Sequence, residues 1–539
     1  MSLLPTRRAC MREMAQKRIT SNWEVPKSYK RIRIVGREDI ELTYPLITAC
    51  LENPHLALSV EHFVLDESSW PSNRMGYAGP DLPNSARPIH EDAHKAIENY
   101  VRTLGLEEAT TQRMLLALYW KKQFLEEGKQ EADTHFHARN TEYGYAATIV
   151  LLSLCKNITT LHLGATNPYQ PLGEYIMKSN YGLISNPALQ ELKSVEYLPN
   201  EYFSTNYKTT YIRFAFLDWF RYFHRLPEIE SATIEGVMQY ETYRNLFAPN
   251  ISNVKRLRLG HSHIYSSMLG TIIRMHKGLE ELSISLGGMI VLHGIAHRVY
   301  PKTIGKSLLT QKDTLRILDL DMDIAHSAHV SHDGTITEIE DDKEKEEFEA
   351  FGGEEEALAK EYDKWFGMDK TVSGGGPLWV EELPDTRPYQ LTIGSLHDFT
   401  ALKRLSIGIR FLMGPNVRHY VGPSAWTEPS GPPFRLATMP PFRLVDALPP
   451  NLEYLCIRGY FRGENPDVDD HINELLEKKT DRFPHLKEVE GIDIPVPGLG
   501  LEYGKNRSNR AGPKDGKSDT DMDERYIRHL ELDLDWIEI

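Results

Sequence analysis

Residues 254–259 read VKRLRL, residues 279–284 read LEELSI and residues 315–320 read LRILDL. Each stretch has apolar residues at its first, fourth and sixth positions, so the last two are separated by a single residue. That spacing is the period of a β-strand with one buried face. The three stretches start 25 and 36 residues apart, which leaves room for a strand, a helix and two turns in each unit. The pattern therefore predicts a repeated helix–turn–strand unit.

The same apolar pattern recurs along the rest of the chain. Further copies begin at Val60, Ile158, Leu192, Ile229, Leu402, Leu452 and Leu486. Chance copies are common in any leucine-rich sequence, but this number in one chain favours a repeat array. Helices are predicted before three of the strands, at 143–155, 211–224 and 265–276. Stacked units of this kind form a parallel sheet on one side and a layer of helices on the other.

Units of this consensus and length are typical of leucine-rich repeats. We therefore predict an α/β fold, an irregular leucine-rich-repeat solenoid with a parallel one-layer curved sheet and helices on its outer face. The solenoid should be irregular, because the position after each strand that carries asparagine in regular leucine-rich repeats holds different residues in the different copies. Only Thr166, Ser262 and Asp323 could form hydrogen bonds to neighbouring backbone from that position. The predicted core is a ladder of strand residues: Leu161, Leu163, Leu257, Leu259, Leu282, Ile284, Leu318, Leu320, Leu405, Ile407, Leu455 and Ile457.

The array divides the chain into four predicted segments. They are an N-terminal extension at 1–28, a cap at 29–135, the solenoid at 136–500, and a loop with a capping strand at 501–539. The cap carries the first repeat-like strand and adds helices between 70 and 133. Within the solenoid, residues 333–388 form an acidic insertion that we expect to be disordered, since 333–364 contains 14 acidic and 4 basic residues. A solvated helix near 344–362 and an acidic interaction arm are the alternatives. Deleting 333–364 should leave the melting temperature nearly unchanged.

Composition narrows the classes of function. The 539-residue chain carries a net charge of −15, and no basic stripe of the kind that nucleic-acid binding requires is evident. Its four cysteines lack CxxC spacing, which argues against a disulfide framework or a zinc ribbon and suits a reducing compartment. No apolar run is long enough to cross a bilayer. We expect a cytoplasmic or nuclear protein that binds neither nucleic acid nor membrane and holds no cofactor.

Three short motifs resemble catalytic or metal-binding ones but are incomplete. Residues 260–264, GHSHI, have the context of a nucleophile elbow, yet Ile264 stands where that turn needs glycine. Residues 305–307, GKS, resemble the end of a phosphate-binding loop whose first glycine is replaced by Tyr300. Residues 319–323, DLDMD, resemble the start of a calcium loop, but Ile324 replaces its glycine, and we expect the carboxylates on the exposed face of a strand.

Histidines near 295 and 329 lack a carboxylate or cysteine at zinc spacing, so no metal site is predicted. We expect no enzyme; an α/β hydrolase that uses Ser262 is the alternative.

One part of the chain resembles a known family. Residues 51–57, LENPHLA, lead into residues 60–65, VEHFVL, and are preceded by Arg31-Ile32-Arg33-Ile34. This arrangement resembles fungal F-box and leucine-rich-repeat proteins, in which such a helix runs into the first repeat strand. The resemblance implies a substrate-recognition subunit of a ubiquitin ligase, with a Skp-type linker and a cullin as partners. The 28 residues before Tyr29 do not show the leucine-proline opening and apolar helices of an F-box.

The predicted function is non-catalytic protein–protein interaction, either as such a ligase subunit or as a repeat scaffold without a ubiquitin link. Because side chains alternate along a strand, the residues between the two ladder positions should line the concave sheet surface. Read across the copies, they form a lateral row of His162, Glu196, Thr233, Arg258, Ser283, Asp319, Ser406 and Cys456. The predicted protein-binding residues are Arg256, Arg258, Glu281, Asp319, Asp321, Arg404, Tyr454 and Arg458. The sequence does not predict which protein they bind.

Overall fold

The computed structural model describes residues 30–35, 37–67, 70, 91–127, 134–164, 166, 170–197, 212–214, 216–239, 247–286, 299–323, 329–330, 336–337, 356–375, 383, 389, 391–414, 440 and 442–496. The chain divides into two compact units, the first reaching Leu192 and the second beginning at Lys193. Both units are α/β. The predicted extension at 1–28 and the predicted capping strand in 501–539 lie outside the described residues.

The first unit combines three parallel strands with six described helices. The strands are β1 (Arg31–Ile34), β2 (His62–Leu65) and β3 (Thr160–Leu163), and they pair in that order. The helices are α1 (Arg37–Glu52), α2 (Pro54–Leu58), α3 (Glu91–Arg102), α4 (Glu108–Glu127), α5 (Thr134–Leu154) and α6 (Pro171–Asn180). Ile32, Phe63 and Leu161 lie side by side in register, and all three are buried. The helices α3 and α4 confirm that the region between 70 and 133 adds helices.

The second unit contains most of the predicted repeats. Its strands are β4 (Ser194–Tyr197), β5 (Ile212–Phe214), β6 (Ser231–Glu235), β7 (Val237–Gln239), β8 (Arg256–Ser262), β9 (Glu281–Leu286), β10 (Ile317–Asp321), β11 (His329–Val330), β12 (Ile336–Thr337), β13 (Arg404–Gly408), β14 (Tyr454–Arg458) and β15 (Glu488–Glu490). Its helices are α7 (Phe216–Phe220), α8 (Ser266–Arg274), α9 (Pro301–Leu308), α10 (Glu356–Ser373), α11 (Ile409–Met413), α12 (Leu444–Ala447), α13 (Pro466–Glu477) and α14 (Lys479–Arg482), with a 3₁₀ turn at Leu309–Gln311.

Eight strands of this unit form its main sheet, in the order β4-β6-β8-β9-β10-β13-β14-β15. Neighbouring strands pair in parallel, and the fourth position of each repeat meets the fourth position of the next. The resulting row is Val195, Ala232, Leu257, Leu282, Leu318, Leu405, Leu455 and Val489. Two short strand pairs lie outside this sheet, β5 with β7 and β11 with β12.

The predicted apolar ladder is confirmed. Every one of its residues, from Leu161 to Ile457, is buried. The first positions of the repeats, such as Val254, Leu279 and Leu315, are buried as well. Because a parallel strand with this alternation buries one face against helices, the repeat sequence accounts for both the strands and their register.

Two predicted elements differ from the structure. The helix expected over 211–224 is limited to α7, because β5 takes residues 212–214 and turns follow Phe220. The aromatic residues Trp219, Tyr222 and Phe223 are all buried. This segment therefore packs against protein on several sides, unlike an amphipathic helix with one exposed face. The expected disorder of 333–388 is wrong for residues 356–373, which form α10. No helix in the described ranges is long and apolar enough to cross a membrane.

Candidate interaction face

The second unit presents a polar sheet face made of two rows of side chains. The central row is Glu196, Thr233, Arg258, Ser283, Asp319, Ser406, Cys456 and Glu490, and the outer row is Ser194, Ser231, Arg256, Glu281, Ile317, Arg404, Tyr454 and Glu488. These residues alternate with the buried ladder, so their side chains leave the opposite side of the sheet. The strand registers thus confirm the lateral row predicted for this unit. His162 holds the same position on β3 of the first unit, but it is buried at 6% exposure, so the expectation that it lines an open surface is wrong.

Exposed ion pairs join neighbouring strands of the polar face. Arg256 lies 2.9 Å from a carboxylate oxygen of Glu230, and Arg258 lies 3.4 Å from Glu235. Both arginine side chains are about half exposed, at 47% and 52%. Exposed pairs of this kind contribute little to stability, typically about 0–1 kcal/mol. Each arginine can therefore leave its own carboxylate and bind one from a partner protein at a small cost in free energy.

A packed polar cluster spans β10, β13 and β14. The Arg458 Nε donates to the Ser406 Oγ at 2.8 Å, and its Nη2 lies 3.3 Å from the Asp319 Oδ1. Ser283 donates to the other oxygen of Asp319 at 3.4 Å. The arginine therefore reaches from β14 across Ser406 to β10. Ser406 and Cys456 are buried, at 8% and 2% exposure, which corrects the expectation that every residue of the row lines an open surface.

Arg404 and Tyr454 form the one aromatic contact of the polar face among its described residues. The guanidinium carbon lies 4.6 Å from the centre of the Tyr454 ring, a cation–π distance. The Tyr454 hydroxyl donates to the Glu490 Oε2 at 2.8 Å. Burial, and then this hydrogen bond to a carboxylate, raise the pKa of Tyr454, so the phenol remains protonated. The hydrogen bond from its hydroxyl holds the Tyr454 ring in place, and the ring in turn supports the exposed Arg404.

No protein-family model, curated protein or solved structure matches the chain.

Asp321 departs from the prediction because it is only 3% exposed. A carboxylate with so little exposure is not an accessible contact for a partner, so the expectation for Asp321 is wrong. Asp323 is fully buried too, contrary to the exposed position expected for the carboxylates of 319–323. Of the three, only Asp319 is half-exposed.

Asp323 instead bonds the backbone of the next repeat, as the sequence predicted. Its Oδ2 accepts the Arg410 N–H at 2.9 Å, and its Oδ1 accepts the Phe411 N–H at 3.3 Å. These amides begin α11, just after β13. A Cβ at Gly408 would lie 1.9 Å from the Asp323 Oδ1, so glycine is required beside this carboxylate. Ser262 and Thr166 differ, since their hydroxyls donate to the carbonyls of Gly260 and Gly164 in their own segments.

The catalytic motifs occupy structural positions. Ser262 is the last residue of β8, is fully buried and donates to the Gly260 carbonyl at 3.1 Å. Its neighbour His263 is also buried, and burial lowers its pKa to about 4. Ser307 lies inside α9 and accepts a hydrogen bond from Arg274 at 2.7 Å. The described side chains contain no group of three or more potential metal ligands, whereas the histidine side chains at 293, 297, 326, 329 and 332 lie outside the described residues.

A buried charge cluster in the second unit was not predicted from the sequence. The Asp369 Oδ2 lies 3.2 Å from the Arg221 Nη1, and its Oδ1 lies 3.6 Å from His224 and 3.7 Å from Arg225. The side chains of Asp369, Arg221 and His224 are fully buried. The Arg221 guanidinium also lies 4.1 Å from the centre of the Phe247 ring. We call Asp369, Arg221, His224, Arg225 and Phe247 the α10 anchor, because it fixes α10 to the segment after α7.

One signal in the sequence could have indicated this anchor. Trp365 and Asp369 lie four residues apart, so they share one face of α10, and both are buried. A tryptophan within an otherwise acidic segment marks a helix with a packed side. Nothing local, however, indicates that its carboxylate pairs with an arginine 148 residues away.

Proposed function

We propose that the chain is a non-catalytic protein-binding module that uses the polar face of the second unit. The observation that carries this proposal is the register of the sheet, which places Arg256, Arg258 and Arg404 on one side of it as exposed residues. Arginine and tyrosine are the residues most often found at energetic centres of protein interfaces. Mixed charges with an aromatic residue suit a polar protein surface better than a lipid or a phosphate backbone.

We further propose that the array is an irregular leucine-rich-repeat solenoid. Its support is that all ten copies of the apolar pattern coincide with strands, from β2 to β15. Asp323 adds to this support, since it bonds the next repeat much as the consensus asparagine would. The burial of Ser262 inside the sheet weighs against the hydrolase alternative, because a nucleophile must reach its substrate.

The link to F-box proteins is a narrower proposal. It rests on residues 29–66, where α1 ends at Glu52, Asn53-Pro54 starts α2 and β2 follows. A substrate-recognition subunit would bring its bound protein to a Skp-type linker and a cullin. A repeat scaffold without a ubiquitin link is the alternative, and the same purification experiment separates the two.

The test is affinity purification of the full chain with identification of bound proteins. The triple variant Arg256→Ala, Arg258→Ala, Arg404→Ala should lose the specific partner while keeping its circular-dichroism spectrum and melting curve. A matched control removes three exposed cations elsewhere in the same unit, Arg462, Lys478 and Arg482, and should retain the partner. Equal retention by both variants would contradict binding at the polar face. Recovery of Skp and cullin proteins would support the ligase subunit, and their consistent absence would support the scaffold.

A further inference from the structure

The arginines of the polar face differ in what neutralises them. Arg256, Arg258 and Arg458 lie within 2.9–3.4 Å of a carboxylate oxygen, from Glu230, Glu235 and Asp319 respectively. Arg316, just before β10, lies 3.9 Å from Glu280. Arg404 is exposed, and among the described residues its guanidinium has an aromatic ring as its partner instead of a carboxylate. A ring supports the flat face of a guanidinium and leaves its N–H donors at the edge for another acceptor.

The surroundings of Arg404 are unusual for this face. Along the outer row, Ile317 lies on one side of Arg404 and Tyr454 on the other. The remaining members of that row are serines, Arg256 and glutamates. An apolar side chain, a cation with free donor edges and an aromatic ring therefore occupy three adjacent strands. We call these three residues the Arg404 platform.

The Arg404 platform is held in place by its neighbours. Glu490 accepts a hydrogen bond from the Tyr454 hydroxyl, and the Arg458 side chain ties β14 to β10 beside the platform through Ser406 and Asp319. A preorganised site loses less conformational entropy when it binds. The acidic residues Glu488 and Glu490 lie on the β15 side, so they disfavour an incoming carboxylate there. Glu281 lies beyond Ile317 on the other side, so along this row a carboxylate is favoured only at Arg404 itself.

We propose that the Arg404 platform binds an acidic side chain of a partner peptide, flanked within two positions by a large apolar side chain. The carboxylate accepts from the guanidinium edge of Arg404 in a charge-assisted, bidentate geometry. The apolar side chain packs on Ile317. This inference rests on the proposed function, because it names the chemistry of the partner that the polar face takes.

The test selects binders from a phage-displayed library of random twelve-residue peptides on the immobilised full-length chain. The expected result is enrichment of peptides that contain Asp or Glu next to Leu, Ile or Phe. The leading peptide is then synthesised with its acidic residue and with the matching amide, and binding is measured by fluorescence polarisation. We expect the amide to weaken binding by about tenfold or more, since hydrogen bonds to charged groups are the stronger ones.

A double-mutant cycle connects the peptide to Arg404. Arg404→Ala should weaken the acidic peptide by about tenfold and the amide peptide by less than about threefold, because the lost interaction is shared. Arg482→Ala is the control, because it removes an exposed arginine of the same unit outside the polar face, and it should change both affinities by less than about threefold. Circular dichroism checks that each variant remains folded.

Each other outcome contradicts the inference in a recognisable way. Enriched peptides without an acidic residue, or acidic peptides that bind Arg404→Ala as well as the original chain, would overturn the Arg404 platform. In that case the proposed function stands if the triple arginine variant still loses its protein partner. If no peptide is enriched, the inference fails; if the triple variant also retains its protein partner, the proposed function fails with it.

Discussion

The ladder around Leu282 and the Asp369–Arg221 pair of the α10 anchor are both fully buried, yet they are stabilised in opposite ways. The ladder removes apolar side chains from water, so each residue contributes through the hydrophobic effect and close packing. The anchor removes a carboxylate and an arginine from water, and their attraction largely offsets the cost of that desolvation. Burial alone therefore does not rank the contributions of residues to stability. Removing one side chain strongly destabilises the fold in both regions, but for different reasons.

The largest effect is expected from Asp369→Ala. Arg221 would remain fully buried without the carboxylate that lies 3.2 Å away, and breaking such a pair costs about 3–5 kcal/mol. The measurement is the free energy of unfolding from chemical denaturation. The double variant Asp369→Leu, Arg221→Met is the control, because replacing both charges by apolar residues should recover much of the loss. A double variant less stable than Asp369→Ala would show that the charges themselves stabilise the anchor.

A slightly smaller effect is expected from Leu282→Ala on β9. This side chain is fully buried in the ladder, so its truncation should lower the free energy of unfolding by about 2–5 kcal/mol. Ser283→Ala is the matched control one residue further along, on the opposite face, where only a 3.4 Å hydrogen bond to Asp319 is lost. It should cost less than about 1.5 kcal/mol. Similar losses for the two variants would mean that the two faces of the sheet are not distinct in packing.

The pH dependence of stability should show a contribution from His276. This residue is fully buried, its Nδ1 lies 3.0 Å from the Val254 carbonyl, and burial lowers its pKa to about 3. The imidazole is therefore neutral in the folded chain, while in the unfolded chain it takes up a proton below about pH 6.5. Stability from this group is present above that pH and is lost progressively as the pH falls towards 3. Between pH 7 and pH 5 the loss should be about 2 kcal/mol.

The variant His276→Gln separates this contribution from those of the other buried histidines. It should flatten the decline in unfolding free energy between pH 7 and pH 5, although it is less stable at pH 7. His397→Ala removes an exposed histidine and serves as the control for the loss of a histidine as such, with little change in stability at pH 7. If the profile of His276→Gln matched that of the original chain, the buried imidazole would not be a source of acid sensitivity.

The smallest effect is expected from shortening the acidic insertion. Deletion of 333–364, which the composition alone suggests is harmless, would remove the first half of an anchored helix, because α10 begins at Glu356. Deletion of 340–352 avoids α10 and should change the melting temperature by less than about 2 °C, because the segment is rich in charge and poor in apolar residues. Deletion of 356–375 is the comparison and should lower it clearly. A large drop for the shorter deletion would contradict the expectation of a dispensable segment.

The chemistry of the polar face could be predicted only in part. Which residues share a row followed from the register, since alternation fixes the side on which Arg258 and Arg404 emerge. Their accessibility did not follow, because it depends on what neighbouring side chains cover. Arg458 covers Ser406 by reaching from β14 to Asp319 on β10, and Asp321 is buried although its place in the pattern resembles that of exposed residues.

The repeat pattern was enough to predict the ten repeat strands, their shared register and the ladder that they bury. Those features are local and periodic, so each repeat carries the information for its own strand and for the face that leaves water. The partners of the charged residues, in contrast, follow only from the folded arrangement of the chain. Asp369 meets Arg221 across 148 residues, and Arg404 meets the ring of Tyr454 rather than a carboxylate. Electrostatic and aromatic contacts depend on distance in space, which no periodic pattern along the chain encodes.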